Sequence, residues 1–468
     1  MNFSDILLNL PEVKGPTQRK LTFKEKLKWT GIILFSFFVL SLIPLYGLGN
    51  NALENFEQLS ILLGASFGSI LSLGIGPLVT ASIVLQLLTG SGILKLDLRN
   101  PDDKKKFQGL SKLLAIFFII FEGAIYVFLG GLSPSAALAP GMFRTMQLVL
   151  VGQLIVGGLL VMLMDEVVQK WGFGSGISLF IAAGVSQEII IRAFSPLTTA
   201  GTIAFGSTMA PVGKVWVFFQ SIIGRTPTGA VLALSSIIAT LLVFALAVYA
   251  QAMKVQIPLS FGRIRGHGIR WPLNFIYTSN IPVILIAALL ANFQLWAKLL
   301  ESKGWPILGT FTAQGAPASG FINWINPPQL VESLITGSFQ WIDLAHAGSY
   351  MALMVLGSVV FSYFWVQTSG MDARSQAKQI MASGLQIPGF RRDERILEHV
   401  LNRYIIPLTI MGGALVGFFS ASADLLGALS RGTGILLTVM IVYRLYEDIA
   451  REHMMDMHPA LKKMMGKQ

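Results

Sequence analysis

The sequence predicts an all-α integral membrane protein of ten transmembrane helices. Three observations predict it: a shortage of charge, a series of long apolar runs, and a lopsided distribution of Lys and Arg. Of the 468 residues, 53% are hydrophobic and only 13% are charged, with a mean hydropathy of +0.65. Soluble domains carry about 25% charged residues. A chain this poor in charge cannot cover its surface with solvated groups, so much of that surface must face lipid.

Apolar runs such as Trp29 to Tyr46, Ser111 to Leu132, Met146 to Met164 and Ala230 to Ala250 approach the roughly 20 residues a helix needs to cross the hydrocarbon core. Backbone groups in lipid must bond within their own segment, so these runs read as helices. Spans are predicted near 29–46, 74–92, 111–132, 146–164, 175–191, 229–250, 278–297, 347–367, 404–423 and 433–450. Glu54 to Leu71 is too polar and too short to cross. It reads as a re-entrant half-helix, which is tolerated only where protein or water covers it.

Orientation follows from the basic residues. With the N-terminus inside, the inside segments hold 28 of the 35 Lys and Arg and the outside segments hold seven. An odd number of spans would spoil this asymmetry, so both termini are predicted to be cytoplasmic. Net charge is +11, and its placement makes it a membrane-orientation signal. The first 28 residues carry six basic residues and lack a small-residue cleavage site, so no cleavable signal is read there. Residues 17–28 (TQRKLTFKEKLK) read as an amphipathic helix on the inner surface. The inside loops 251–276 and 368–403 are long and basic. The outside loops 192–228 and 298–346 are long and nearly neutral, the second reading as a small irregular or hairpin-bearing cap.

Two internal matches divide the chain. Gly174-Ser175-Gly176-Ile177-Ser178-Leu179 opens the fifth span and Gly432-Thr433-Gly434-Ile435-Leu436-Leu437 the tenth. Gly74-Ile75-Gly76-Pro77 opens the second, and Asn280-Ile281-Pro282 the seventh. Mates five spans apart run in opposite directions, the pattern of an inverted repeat. The predicted organisation is a cytoplasmic amphipathic segment at 1–28 and a first five-helix half at 29–228, containing the re-entrant segment 54–71. An inverted second half follows at 229–450, then a cytoplasmic tail at 451–468.

No catalytic constellation is present. Cysteine is absent, which excludes disulfides and thiolate metal sites. The five histidines (His267, His346, His399, His453, His458) are scattered, so no metal or other cofactor is expected. Gly172-Phe173-Gly174-Ser175-Gly176 is glycine-rich, but no strand precedes it. It reads as close helix packing, not as a phosphate loop. Glu122 lies mid-span in FFIIFEGAIYVF. An ionised carboxylate there costs about 2.5–3.5 kcal/mol on insertion scales. It is open to three readings: a contact gluing two helices, a gate contact, or a proton relay. The other acidic groups near the spans (Asp165, Glu166, Glu188, Glu447, Asp448) cluster at span ends, which argues against a relay. Ile75 and Val79 are four apart, as are Ile177 and Ile181, so each pair shares a helical face. Spacing alone is equally consistent with lipid-facing or core packing. Phe35 and Phe38 read as lipid-facing.

Five segments together carry a resemblance: GIGPLVTASIVLQLL (74–88), GSGISLFIAAGVSQ (174–187), IPLSFGRIRG (257–266), SNIPVIL (279–285) and GTGILLTVMIVYRLYE (432–447). In this order and at these spans they resemble the signature segments of the SecY family, including the alpha subunit of the endoplasmic-reticulum translocon. The short C-terminal tail and the absence of cysteine resemble archaeal members.

The resemblance implies an hourglass pore between the two halves, closed at an apolar ring. The matching positions are Ile75, Val79, Ile177, Ile181, Ile284 and Leu437. It implies that 54–71 is a plug helix and that the channel opens sideways to lipid between spans 2–3 and 7–8. Thr80, Glu122 and Asn292 match a polar cluster at that gate. It further implies ribosome contact, through ribosomal RNA, by Arg263, Arg265, Arg391 and Arg392. The other implied partners are a SecE-type and a beta or SecG-type small membrane subunit, and nascent polypeptides with signal sequences.

The leading function is thus a passive protein-conducting channel in the cell membrane, not an enzyme; with no nucleotide site in the chain, energy must come from a partner. A secondary transporter for a small solute also fits inverted repeats, but predicts coupling charges near unwound helices. Only apolar residues stand beside Gly76-Pro77 and Gly174-Gly176. A poreless scaffold or insertase would not need apolar residues converging on one constriction.

Overall fold

The computed structural model describes residues 12–16, 21–49, 68–90, 93–94, 101–128, 132–135, 139–198, 203–204, 210–261, 268–278, 281–302, 304–312, 317–382, 385–386 and 393–457. Each predicted span falls on a helix. In the first half these are α1 (Phe23–Ser41), α2 (Gly76–Gly90), α3 (Pro101–Phe128), α4 (Pro140–Trp171) and α5 (Gly176–Phe194). A short helix, α6 (Lys214–Ile223), precedes α7 (Pro227–Ala252) and α8 (Ile281–Ser302). The cap helices α9 (Phe321–Trp324) and α10 (Leu330–Thr336) follow, then α11 (Trp341–Thr368), α12 (Ala373–Ala382), α13 (Glu394–Leu425) and α14 (Gly432–Met457). Among the described residues, seven helices are long and apolar enough to cross a membrane by themselves: α3, α4, α5, α7, α8, α11 and α13. The other predicted spans coincide with α1, α2 and α14.

Helix starts follow local chemistry. Thr22 and Glu25 form a capping box at the head of α1: the Glu25 amide donates to Thr22 Oγ1 at 3.4 Å, and the Thr22 amide to Glu25 Oε2 at 3.0 Å. From there α1 runs unbroken to Ser41. This differs from the separate surface helix expected at 17–28. Residues 17–20 lie outside the described residues, and 23–28 are the first turns of the span, because nothing between Lys28 and Trp29 breaks the helix. Pro140 and Pro227 occupy the first positions of α4 and α7, where a missing N–H costs nothing. Helix α3 starts at Pro101, ten residues before the apolar run, and an Asp103–Lys106 pair at 3.1 Å lies on this polar extension.

The surface supports a lipid environment. Phe35 is 71% exposed, Leu241 64% and Leu356 65%, a pattern that water would not tolerate over so many helices. Phe38, expected beside Phe35 on the lipid face, is half-buried and packs edge-on against Phe37.

Two apolar cores stack along the bundle. The large one joins α1–α5, α7, α8, α11, α13 and α14. The smaller lies under a sheet that periodicity did not reveal. Strands β1 (Lys254–Phe261) and β2 (Gly268–Asn274) form an antiparallel hairpin in which Ile257 pairs with Trp271. Its inward residues Ile257 and Leu273 pack on Ala377 and Ile380 of α12 and on Leu397 and Leu401 of α13. The later strands are β3 (Thr310–Phe311), β4 (Pro317–Ser319) and β5 (Leu385–Gln386). β5 adds to β1 as a third strand, Ser260 opposite Gln386 and Phe261 opposite Leu385. β3 and β4 form the small hairpin expected within 298–346.

The N-terminal strap is fixed across the end of α4. The Val13 amide donates to Glu166 Oε2 at 3.0 Å, Trp171 Nε1 donates to the Lys14 carbonyl at 2.9 Å, and Glu12 pairs with Lys170. The Lys170 hydrogen bond, and then its charge, hold the exposed Glu12 carboxyl below the usual carboxylate range.

Candidate functional site

The six aliphatic residues matched to a ring sit on four helices in mutual contact. α2 touches α8, α8 touches α14, and α14 touches α5. Ile75 lies one residue before α2, and its carbonyl accepts from the Leu78 and Val79 amides at 3.1 Å, opening the helix. Ile75, Val79, Ile181 and Leu437 are buried, and Ile177 and Ile284 are half-buried against the same core. None of the six is on the exposed surface. The glycines noted in the repeat allow this proximity: a Cβ on Gly434 of α14 would stand 3.1 Å from Val185 of α5.

The three polar residues matched to a lateral gate are brought together only in part. The Glu122 carboxyl on α3 lies beside Thr80 on α2. The Thr80 hydroxyl donates to the Gly76 carbonyl at 3.0 Å. This pair lies within one wall of the expected gate. Asn292 belongs to α8 in the other wall; it is half-buried and makes no side-chain hydrogen bond to either residue among the described residues. Across the seam α2 packs against both α8 and α11.

Arg263, Arg265, Arg391 and Arg392 lie outside the described residues, but their flanks are informative. Residues 262–267 follow β1 and residues 387–392 follow β5, neighbouring strands of one sheet. Two basic loops more than a hundred residues apart therefore spring from one platform. Lys254 at its base pairs with Glu447 of α14 at 3.1 Å, and Lys378 with Glu394 at 3.6 Å. Residues 50–67, most of the expected plug, are also outside the described residues. The chain that follows them is anchored: the Leu45 amide donates to the Gly68 carbonyl at 2.7 Å, and the Ile70 amide to the Ile43 carbonyl at 3.0 Å. Gly157 of α4 makes room for it, since a Cβ there would stand 1.9 Å from the Ile70 carbonyl oxygen.

The structure also shows polar contacts that sequence reasoning misses: Asp165 and Glu188 read there as ordinary span-end charges, and Asp424 is not singled out. Asp165 of α4 is buried and Oδ1 accepts the Ile177 amide at 3.0 Å. Asp424 of α13 accepts the Gly432 amide at 2.7 Å and the Tyr350 hydroxyl at 2.6 Å. Across the halves, Ser430 donates to Glu188 Oε2 at 2.7 Å and Arg192 to the Leu429 carbonyl at 3.3 Å, tying the end of α5 to the entry of α14. The spacing from each aspartate to the following glycine pair was the available signal: nine residues from Asp165 to Gly174, eight from Asp424 to Gly432.

Apolar helices wrapped around a shared aliphatic centre define a polytopic membrane protein of the channel or transporter class. Comparison with known proteins narrows that class. The SecY family model matches residues 69–446. The protein translocase subunit SecY of Methanothermobacter thermautotrophicus is 47% identical over 99% of this chain and 98% of its own length. A solved protein-conducting channel superposes with a TM-score of 0.82 at 40% identity, covering 98% of this chain and 99% of that one. Sec61 in the canine ribosome-channel complex from the endoplasmic reticulum gives a TM-score of 0.79 at 40% identity over 98% and 99%. The chain belongs to the SecY family.

Proposed function

We propose that this chain is the pore-forming subunit of a protein-conducting channel that passes secretory polypeptides across the membrane and releases apolar segments sideways into lipid. The observation that carries the reading is the packing of six aliphatic side chains at α2, α5, α8 and α14 in or against one core, on a chain that matches translocase subunits over nearly its full length. The same relatives remove support from the solute-transporter alternative. Flexible aliphatic side chains yield around any sequence and close again, whereas specific hydrogen bonds would select among sequences. A narrow apolar constriction also resists wetting by ions.

On this reading the chain crosses the cell membrane ten times with both termini cytoplasmic, residues 54–71 plug the pore, and the protein works without chemistry of its own. Its partners are a SecE-type and a beta or SecG-type subunit and the ribosome. The solved Sec61 relative in a ribosome-channel complex supports the last. The expected result is that proteoliposomes containing the chain and its small subunits, supplied with translating ribosomes, carry a signal-bearing polypeptide into a protease-protected lumen. Uptake of small solutes with no polypeptide protection would overturn the reading.

Glu122 then acts at the lateral exit. Glu122 beside Thr80 makes the α2–α3 wall polar where a leaving segment must pass. Glu122→Leu is expected to change how apolar a test segment must be to exit into lipid, by about the 2.5–3.5 kcal/mol that an intramembrane carboxylate costs on insertion scales. A graded series of test segments reads this. An unchanged exit threshold with a lowered melting temperature would make Glu122 structural glue.

A further inference from the structure

We propose that Asp165 and Asp424 are paired positioning residues, one in each half, that fix the start of a ring-bearing helix against the helix before it. The observation is a repeat of contacts that the sequence repeat does not contain. In the first half, Asp165 of α4 is buried, and its Oδ1 accepts the amide of Ile177 at 3.0 Å and the Ser175 hydroxyl at 3.4 Å. Gln169 Nε2 holds the other oxygen at 2.7 Å. In the second half, Asp424 of α13 accepts the Gly432 amide through Oδ1 at 2.7 Å, and Tyr350 of α11 holds Oδ2 at 2.6 Å. Each carboxylate stands at the end of one helix and caps the next.

The polar residues inside the two glycine pairs do not perform this task. Ser175 makes no cap bond with its side chain, and the buried Thr433 hydroxyl has no partner among the described residues. Amides at a helix start need an acceptor, and an anion there is favoured by the helix dipole. Here that acceptor is supplied from outside the helix, so satisfying it also sets where the helix sits. The glycines permit the approach. A Cβ on Gly176 would stand 2.6 Å from Asp165 Cα, and one on Gly432 would stand 2.1 Å from the Ser420 carbonyl oxygen. Ile177 donates one of these bonds itself, and Leu437 lies five residues beyond Gly432. Displacement at either start is therefore passed directly to the ring.

The proposal rests on the ring reading for its conductance readout, so a second, independent readout is included. Asp165→Ala and Asp424→Ala are compared with Asp165→Asn and Asp424→Asn, which keep an acceptor oxygen. The full-length chain is placed in lipid bilayers or nanodiscs. Amide hydrogen exchange is expected to accelerate about tenfold at residues 174–181 in Asp165→Ala and at 432–437 in Asp424→Ala, each leaving the other site unchanged. The asparagine variants should stay near the parent. Resting conductance should rise in the alanine variants and not in the asparagine ones, with Ile177→Ser plus Leu437→Ser as the positive control. A leaky control beside sealed alanine variants overturns the positioning role and leaves the ring standing. A sealed control leaves the decision to exchange alone: no local acceleration overturns the proposal. If an alanine variant fails to fold, Gly176→Ala or Gly432→Ala replaces it, keeping the carboxylate while forcing the helix start away. Unchanged exchange at that start would equally overturn the proposal.

Discussion

Replacing Ile177 and Leu437 together by serine, in a channel that also lacks residues 54–66, is expected to raise resting ion conductance in planar bilayers several-fold. Ions shed water only at high cost, and an aliphatic wall offers no ligands in exchange. Serine hydroxyls supply those ligands and let water wet the constriction. The two positions come from opposite halves, with Leu437 buried and Ile177 half-buried in the same core, so substituting both removes the seal from two sides. Serine at Phe35 on α1 and Leu241 on α7, both exposed on the outer surface, is expected to leave conductance at the parent level. Conductance at the parent level in the ring variant without residues 54–66 would mean that the ring is placed wrongly.

The second large effect is expected at the basic loops. Reversing Arg265 and Arg391 together to glutamate should weaken ribosome binding steeply while the protein still inserts in the membrane. A hydrogen bond to a charged group contributes about 1.5–3 kcal/mol, and 1.4 kcal/mol is a tenfold change in affinity. Each arginine is thus expected to account for about a tenfold change or more. Phosphate contacts also release counterions, so the slope of log affinity against log salt should become shallower by about one for each phosphate that is no longer neutralised. Binding titrations over a salt series read both quantities, and an unchanged affinity at moderate salt would remove these residues from the interface.

The spans were legible because lipid imposes one requirement, about twenty residues of apolar helix, and among the described residues seven helices meet it by themselves. What lay outside that requirement was not legible. The β1–β2 hairpin is short, is interrupted by Pro258 and Pro272, and among the described residues buries Ile257 and Leu273 deeply, so its alternation is lost among apolar neighbours. The polar start of α3 from Pro101 carries no apolar period at all. The ring residues were locatable as faces, since Ile75 and Val79 stand four apart, but an apolar face looks the same toward lipid, core or pore. Only the contact order α2, α8, α14 and α5 places all six in one core. Asp165 and Asp424 leave only their spacing to the following glycine pair as a signal, because each bonds a backbone amide of another helix, a contact that no side-chain pattern encodes. A mid-span carboxyl such as Glu122 must find a polar neighbour; Thr80 is that neighbour, while Asn292 belongs to α8.

Site-directed crosslinking to a ribosome-stalled secretory chain tests most directly whether a polypeptide passes through the ring. The chain contains no cysteine, so single cysteines at Val79, Ile181, Ile284 and Leu437 can be introduced without background. Each is expected to crosslink to one short stretch of the stalled chain, the same stretch for all four, with cysteines at Phe35 and Leu241 staying silent. Crosslinks at the two outer positions with none at the four inner ones would contradict the account.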